Sequence, residues 1–448
     1  MALKGIDIFK MTPKTNCKEC GSPTCMAFAM KVAQGAVDIS KCPHMSDDAL
    51  AALSEATAPP MKTIKVGTGE AEYTLGGETV LFRHEKTFVS PTRFAVNVAA
   101  DADVDAAVAE AAKVDYDRIG ERMHAEMVNV EYAGDAAAYV EAVKKVVGKG
   151  MTIILGCTDV EAAKAALEVC KAEKPILNGA TAANYAEMVE VAKAAGVVLG
   201  VNGANIDELY DTTAAIEKLG YKELVLDVTG ADTKETYGNA VRVRRACLDK
   251  NPDRTFGYPS IVNLSKIAAN DEPMQIALAS MFVLKYGSIV IMDTMNYARA
   301  LPLYGLRQNV YTDPQKPMKV EPGIYALNGA DENAVCITTV DFALTYFVVS
   351  GELERSGVPC NLVISDAGGL SVLTAWAAGK LSSTSVSKYI IENVEPKVKS
   401  RKLIIPGKVA VLKGDIEAKL PGWEVIVGPN EAVQLVKFLK DLQANGEI

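Results

Sequence analysis

Cys17, Cys20, Cys25 and Cys42 stand as Cys-x2-Cys-x4-Cys-x16-Cys-Pro, so four of the nine cysteines fall within the first 42 residues. Four thiolates are the ligand set of a 4Fe–4S cubane. Cys17 and Cys20 make a chelating corner, and the sixteen-residue gap lets the chain loop round to supply the last ligand. Gly21 and Pro23 favour the tight, non-helical backbone that such a corner needs. Pro43 stops the chain continuing as helix after the last thiol. A zinc ribbon usually shows two Cys-x2-Cys knuckles where this chain has one. Two disulfides would suit a secreted miniprotein, but Met1–Lys10 lacks the apolar core of a signal peptide. The spacing favours iron–sulfur chemistry, with zinc as the alternative. Cys157, Cys170, Cys247, Cys336 and Cys360 are scattered singly among apolar residues and read as small buried hydrophobes.

A second set of candidate contacts lies near the C-terminus, in loops carrying Thr338-Thr339, Gly368-Gly369, Pro406-Gly407 and Gly428-Pro429-Asn430. Glycine lets the backbone approach a bulky ligand, and free helix N-termini offer N–H donors. Neither a Gly-x-Gly-x-x-Gly fingerprint with a following acid nor a Walker A loop occurs, and ordinary strand–helix turns use glycine too. The middle of the chain offers Thr158-Asp159, Asn178, Asn202, Asp227 and Asp293 at strand ends, residue types that also cap helices and form turns. Paired carboxylates, a His–carboxylate arrangement and a Gly-x-Ser-x-Gly elbow do not accompany them. His44, His84 and His124 are the three histidines, and all lie outside these strand ends. The middle therefore reads as scaffold or docking surface rather than as a catalyst.

Periodicity predicts the elements that position these residues. Apolar runs recur at Phe94–Ala99, Met127–Tyr132, Thr152–Cys157, Pro175–Ala180, Val197–Asn202, Glu223–Thr229, Tyr258–Leu264 and Ser288–Asp293. Amphipathic stretches such as Asp159–Glu173, Tyr185–Ala195 and Asp207–Leu219 alternate with them. Continuous apolar strands at a spacing of roughly 25–30 residues imply a parallel sheet with helices outside, and eight units fit a TIM barrel. Lys113–Glu126 is polar and weakly periodic, so the first two units are the least regular. Two proline-bearing stretches, Ala51–Thr63 and Asn309–Gly323, read as linkers. Ile64–Val89 reads as a hairpin bridging domains.

Beyond the second linker, strands are expected at Ala334–Asp341, Cys360–Asp366, Lys402–Ile405, Val409–Leu412 and Glu424–Val427. Helices are expected at Phe342–Glu354, Leu370–Ala378 and Glu431–Ala444. This pattern implies a small doubly wound α/β domain with ligands beyond the carboxyl ends of its strands. The expected division is a cluster domain over 1–58, linker and hairpin over 59–92, barrel over 93–310, linker over 311–323 and α/β domain over 324–448.

The 448 residues are 49% hydrophobic with a net charge of −9. That size suggests about three soluble domains. The acidic balance without a Lys/Arg stripe argues against nucleic acid, and no apolar run approaches the ~20 residues of a membrane span. Free thiols point to a reducing cytoplasm and an anaerobic setting.

The Asn-Cys-x2-Cys-Gly-x-Pro-Thr-Cys segment, the barrel and the small α/β domain, in that order, resemble the corrinoid iron–sulfur protein large (gamma) subunit family of the acetyl-CoA synthase/decarbonylase pathway. Cys17, Cys20, Cys25 and Cys42 match the family's cluster ligands, and Ser365–Ala375 (SDAGGLSVLTA) is similar to its corrinoid-binding loop and helix. The resemblance implies a methyltransferase component whose bound corrinoid (cobamide) accepts methyl from methyltetrahydrofolate, through a separate methyltransferase, and passes it to acetyl-CoA synthase. The cluster restores cobalt that has slipped from Co(I) to Co(II). Implied partners are a small subunit in a heterodimer, the methyltransferase, carbon monoxide dehydrogenase/acetyl-CoA synthase and a low-potential donor such as ferredoxin. Implied corrinoid contacts are Thr338, Thr339, Gly368, Gly369, Leu370, Ser371, Val372, Leu373, Thr374, Gly407, Gly428 and Pro429, with Thr374 near the lower axial face. Many corrinoid domains carry Asp-x-His-x-x-Gly, whose histidine binds cobalt. No histidine follows position 124 here, so the corrinoid is expected base-off and without a protein axial ligand. An imidazole donor stabilises higher cobalt states, and its absence makes Co(I) easier to reach. Two other classes remain open on the residues alone: a cluster-bearing electron-transfer module without corrinoid, and a pterin-dependent methyltransferase barrel.

Overall fold

The computed structural model describes residues 5–33, 37–46, 49–50, 59–284, 287–313 and 318–448. Ala51–Ala58 of the first expected linker, and Pro314 and Pro317 of the second, lie outside the described residues. Contacts divide the chain into two compact units. One holds the cysteine segment and barrel up to Tyr311, and the other holds Thr312–Ile448 together with Asp117–Glu121.

In the cysteine segment, helices Gly5–Met11 and Cys25–Ala33 pack against each other. Ile8, Phe28, Ala29, Val32, Ile39 and Met45 form a small core there.

Strands β1 (Thr63–Val66) and β2 (Tyr73–Gly76) make an antiparallel hairpin. Then follow β3 (Arg93–Ala99), a two-stranded sheet of β4 (Asp115–Arg118) and β5 (Glu121–His124), and β6 (Met127–Glu131). β7 (Thr152–Gly156), β8 (Ile176–Ala180), β9 (Val198–Val201), β10 (Leu224–Asp227), β11 (Ser260–Asn263) and β12 (Ile289–Met292) complete the set. β3 and β6 to β12 close into the predicted eight-stranded parallel barrel. The weakly periodic Lys113–Glu126 stretch is the β4–β5 sheet, whose polar strands fully bury only Met123 and so show little alternation.

The strands read as unbroken apolar runs because both faces are covered. One face packs on the surrounding helices. The other fills the lumen with Ala95, Met127, Ile154, Ile176, Val198, Val225, Ile261, Ile289 and Ile291. Ile64, Val66, Ala71, Tyr73 and Leu75 join that same cluster. The β1–β2 hairpin therefore seals the floor of the barrel, which corrects the bridging role expected for Ile64–Val89. Its alternating side chains supply a one-sided apolar face. The hydrogen bonds Gly67 N to Lys174 O (3.0 Å) and Lys62 N to Gly257 O (2.7 Å) fix it in place. Gly67 has φ +76°, and a Cβ there would meet the Ala71 carbonyl at 1.9 Å, so no other residue fits.

The second unit is a five-stranded sheet in the order β13-β15-β14-β16-β17. β13 (Gly323–Leu327) is an antiparallel edge absent from the sequence reading. β14 (Val335–Val340), β15 (Cys360–Ser365), β16 (Lys402–Ile405) and β17 (Glu424–Val427) run parallel. The expected strand at Val409–Leu412 is instead a 3-10 turn, Gly407–Leu412, feeding helix Lys413–Lys419. β16 and β17 are parallel neighbours, and parallel pairing needs a crossover that a strand cannot provide. The linker expected over Asn309–Gly323 is also narrower. Helix Tyr297–Val310 takes its first residues and β13 its last.

Candidate functional site

Pro13–Thr24 is neither helix nor strand. Lys14, Asn16 and Lys18 adopt left-handed backbone (φ 58°, 51° and 69°), three of the seven non-glycine residues that do so among those described. Such conformations cost of order 1–3 kcal/mol each and persist where surroundings over-determine them. Backbone of this kind turns N–H groups toward one side, as around anionic iron–sulfur sites. Asn16 holds the loop to the following helix: its Oδ1 accepts from Cys25 N at 2.8 Å, and its N–H donates to Cys25 Sγ at 3.4 Å. Cys42 leaves the 3-10 turn Ile39–Lys41, which Asp38 caps by accepting from Ser40 N at 2.8 Å. The hydrogen bonds from Ser40 hold the Asp38 carboxyl below its ordinary range. Cys42 and, partly, Cys20 pack on the same apolar core.

Two further features of this segment concern what its cysteines could hold. Ser22, between Cys20 and Cys25, is buried, and its hydroxyl has no hydrogen-bond partner. On the rim, His44 and Glu19 pair at 2.9 Å, and with Cys17 Sγ their ligating atoms lie within 4.8 Å of one another. Four cysteines of this spacing, one already accepting an N–H from Asn16, and a buried unpartnered hydroxyl among them fit an iron–sulfur cluster, whose sulfurs accept such bonds. The five other cysteines are buried, and burial pushes their thiols up, to about 11 at Cys157 and Cys360 and about 12 at Cys170, Cys247 and Cys336. They stay protonated and inert.

In the second unit a cleft of about 320 Å³ opens at the carboxyl ends of β14, β16 and β17. It spans the point where strand order reverses, between β14 and β16, where doubly wound folds bind ligands. Of the expected contacts, Thr338, Thr339, Ser371, Val372, Leu373, Gly428 and Pro429 line it. Thr339 Oγ1 is buried and unpartnered, so the wall holds a hydroxyl waiting for an acceptor or donor. Leu344, Val348 and Leu373 line the cleft yet are 62%, 48% and 47% exposed. Apolar walls of this extent with a few polar groups fit a bulky, largely apolar ligand carrying hydrogen-bonding arms.

Gly368, Gly369, Leu370, Thr374 and Gly407 do not line the cleft. The loop after β15 instead wraps Asp341, a fully buried carboxylate. Asp341 Oδ1 accepts from Ala367 N at 2.9 Å and Gly369 N at 3.0 Å, while Gly368 N bonds Asp366 at 2.9 Å. The hydrogen bond from Gly368, helped by Lys319, lowers the Asp366 pKa. Thr374 Oγ1 meets Ser371 Oγ at 2.9 Å. Gly407 serves close packing of loops, since a Cβ there would meet Gly428 O at 2.5 Å. Asp341 and the apolar Leu344 and Val348 escaped the sequence reading. The one signal for Asp341 was an acid ending the expected strand Ala334–Asp341, one strand before the Gly-Gly loop.

At the barrel mouth the strand-end residues divide. Asp159 is a helix cap, accepting from Ala162 N at 2.8 Å. Asn178 donates to Asp227 (3.1 Å) and accepts from Asn202 (3.0 Å), and Asn129 donates to Asn97 (2.6 Å) and Glu131 (2.9 Å). Asp293 accepts from Gln275 at 2.7 Å. These bonds spend most of the donors and acceptors on one another.

A thiolate-bearing segment, a parallel eight-stranded barrel and a doubly wound unit with a ligand cleft define a multidomain α/β protein of the cofactor-carrying kind. Residues 63–439 match the family described as CO dehydrogenase/acetyl-CoA synthase delta subunit, and residues 13–44 match an Fe-S cluster family. The corrinoid/iron-sulfur protein large subunit of Moorella thermoacetica is 39% identical, covering 98% of this chain and 99% of its own. The acetyl-CoA decarbonylase/synthase complex subunit gamma of Methanopyrus kandleri is 34% identical over 98% of this chain and 97% of its own. That of Archaeoglobus fulgidus is 33% identical, covering 97% of each. The delta-subunit match omits the cysteine segment, whereas these full-length relatives are large or gamma subunits. The chain belongs to the corrinoid/iron-sulfur protein large-subunit (gamma) family.

Proposed function

We propose that the chain is a methyl-group carrier of the acetyl-CoA pathway, working in the cytoplasm, with a cluster on Cys17, Cys20, Cys25 and Cys42 and a corrinoid at the C-terminal cleft. The observation that carries this reading is the cleft itself: an orphaned Thr339 hydroxyl set among exposed apolar walls, at the switch point of the sheet. The expected division of the chain at 58, 92, 310 and 323 is kept as part of the proposal. A corrinoid there supplies a cobalt that takes and releases methyl, and the cluster supplies single electrons at low potential.

The chain's own residues bind, orient and exclude water. Thr339 would offer its hydroxyl to a polar group of the corrinoid, with Thr338, Ser371, Gly428 and Pro429 lining the same wall. Leu344, Val348 and Leu373 would supply apolar contact to it and help exclude water. Asp341 fixes the Ala367–Gly369 turn and so positions Leu370 and the Ser371–Thr374 segment; Gly407 sets the spacing of the opposite loops. The sequence after His124 offers no imidazole, which supports a base-off corrinoid without a protein axial ligand. Thr374, bonded to Ser371, is proposed as a small neighbour of the lower face. The partners proposed are a small subunit in a 1:1 heterodimer, methyltetrahydrofolate methyltransferase, carbon monoxide dehydrogenase/acetyl-CoA synthase and a ferredoxin-like donor.

The visible spectrum of anaerobically purified protein, with iron and cobalt analysis, tests the reading. Corrinoid bands with about four iron and one cobalt per chain are expected. Iron without cobalt would make the chain an electron-transfer module. Methyl transfer from methyltetrahydrofolate by this chain alone would favour a pterin-dependent methyltransferase barrel.

A further inference from the structure

Ser22 is a buried side chain that nothing in the protein satisfies. It is 3% exposed, and its Oγ has no hydrogen-bond partner among the described residues. A buried hydroxyl left in that state is unfavourable, so a partner outside the chain is expected at such a place. Its neighbours identify the partner's chemistry. Ser22 lies two residues after Cys20 and three before Cys25, directly after Gly21, whose φ of 74° turns the chain there. Cys25 already accepts one N–H from Asn16, so sulfur in this segment is an acceptor. Carbonyl acceptors of the segment are paired with other groups: Lys18 O with Gly21 N, Asn16 Oδ1 with Cys25 N, and Thr24 O with Phe28 N.

We propose that Ser22 donates its O–H to a sulfur of the cluster, and thereby sets the cluster's reduction potential; this rests on the cluster assignment above. Reduction adds one electron and no proton, so negative charge on the sulfurs rises while the Ser22 proton stays on Oγ. A donor aimed at sulfur stabilises the more negative, reduced form and raises the potential. Ser22 is a positioning and tuning residue, since the electron itself passes through iron.

The test is an anaerobic redox titration of the full-length protein against a titanium(III) citrate series, with the reduced cluster read by electron paramagnetic resonance and iron measured in parallel. Ser22→Ala with full iron is expected to show an about tenfold lower reduced-to-oxidised ratio at a given potential, a downward shift of about 59 mV for one electron. Ser22→Thr, which keeps the hydroxyl, is expected to stay near the parent value. An iron-replete Ser22→Ala with the parent potential would overturn the proposal, because water or nothing then occupies the donor's place. If Ser22→Ala loses its iron, recovery of iron and potential in Ser22→Thr supports the hydroxyl's role, and failure of both variants shows a packing role and overturns it. A parent chain with no iron–sulfur signal is a separate result, which removes the cluster reading together with this one.

Discussion

At the scale of single residues, Cys20 and Asp341 carry different consequences. Cys20→Ala is expected to lose most of its iron while the barrel's circular dichroism and thermal transition persist, because the cysteine segment has its own small core. Methyl transfer from already methylated protein should survive, and reductive reactivation should fail. Full reactivation by the same donor would remove the repair role. In the second unit, Asp341→Ala leaves the buried Ala367 and Gly369 amides without their acceptor. A destabilisation of about 1–3 kcal/mol is expected in denaturant titration, with cobalt content falling alongside. Thr339→Val is the informative contrast. It removes a hydroxyl that has no partner in the protein, so stability should hold or rise slightly. Corrinoid retention should drop about tenfold, or about 1.4 kcal/mol, and unchanged retention would mean the hydroxyl does not face the ligand. The pattern of Cys17, Cys20, Cys25 and Cys42 was legible in the sequence because spacing within one short segment is a local signal. Asp341 was not, because its role depends on a loop 26 residues further on.

At the scale of elements, the barrel depends on closure of its floor. Leu75 is fully buried in the lumen cluster, and Leu75→Ala should cost about 2–5 kcal/mol, the range for buried leucine truncation. Beside β6, Glu126 is fully buried between two arginines, with Arg93 Nη1 at 2.6 Å and Arg307 Nη1 at 2.7 Å. Burial alone would raise its pKa, but the charges of Arg307 and Arg93 outweigh it and the carboxyl is held below its ordinary value. A depressed carboxyl pKa contributes stability that is whole above the unfolded value, about 4.3, and is lost as pH falls through the folded value. Glu126→Gln should therefore flatten the acid side of the stability profile, besides costing about 3–5 kcal/mol at neutral pH for stranding the buried Arg307 and the partly buried Arg93 guanidinium groups. Equal acid sensitivity in parent and variant would assign the acid limb to other carboxylates. The triad links residues 93, 126 and 307 across the chain, a spacing no local pattern reports.

At the scale of the whole molecule, Leu344, Val348 and Leu373 form an exposed apolar surface around the cleft of the kind a partner covers. A 1:1 heterodimer with the small subunit is expected in sedimentation or native mass analysis. A stable, corrinoid-loaded monomer would count against it. The electronic state of the loaded protein provides a second check. With no histidine after position 124, the electron paramagnetic resonance spectrum of the Co(II) form should lack nitrogen superhyperfine splitting. Such splitting would mean that an axial nitrogen is bound and that the base-off reading fails.

The sequence by itself determined the spacing of the four N-terminal cysteines, the eight apolar runs of the barrel and the parallel strands of the C-terminal sheet. These signals are local: ligand spacing and side-chain period are written within one segment. Tertiary structure alone decided what depends on distant partners. Ile64 and Leu75 look like an ordinary hairpin until the lumen they fill exists. Val409–Leu412 has strand composition, but the parallel pairing of β16 and β17 requires a crossover there, and the chain turns helical. Asn178 and Asp227 read equally as caps until the closed barrel sets them within 3.1 Å of each other. Ser22 is an unspecified position of the cysteine motif, and Thr339 is one of several expected loop contacts that the sequence does not rank. Burial without a partner is what marks them, and burial is a property of the assembled fold.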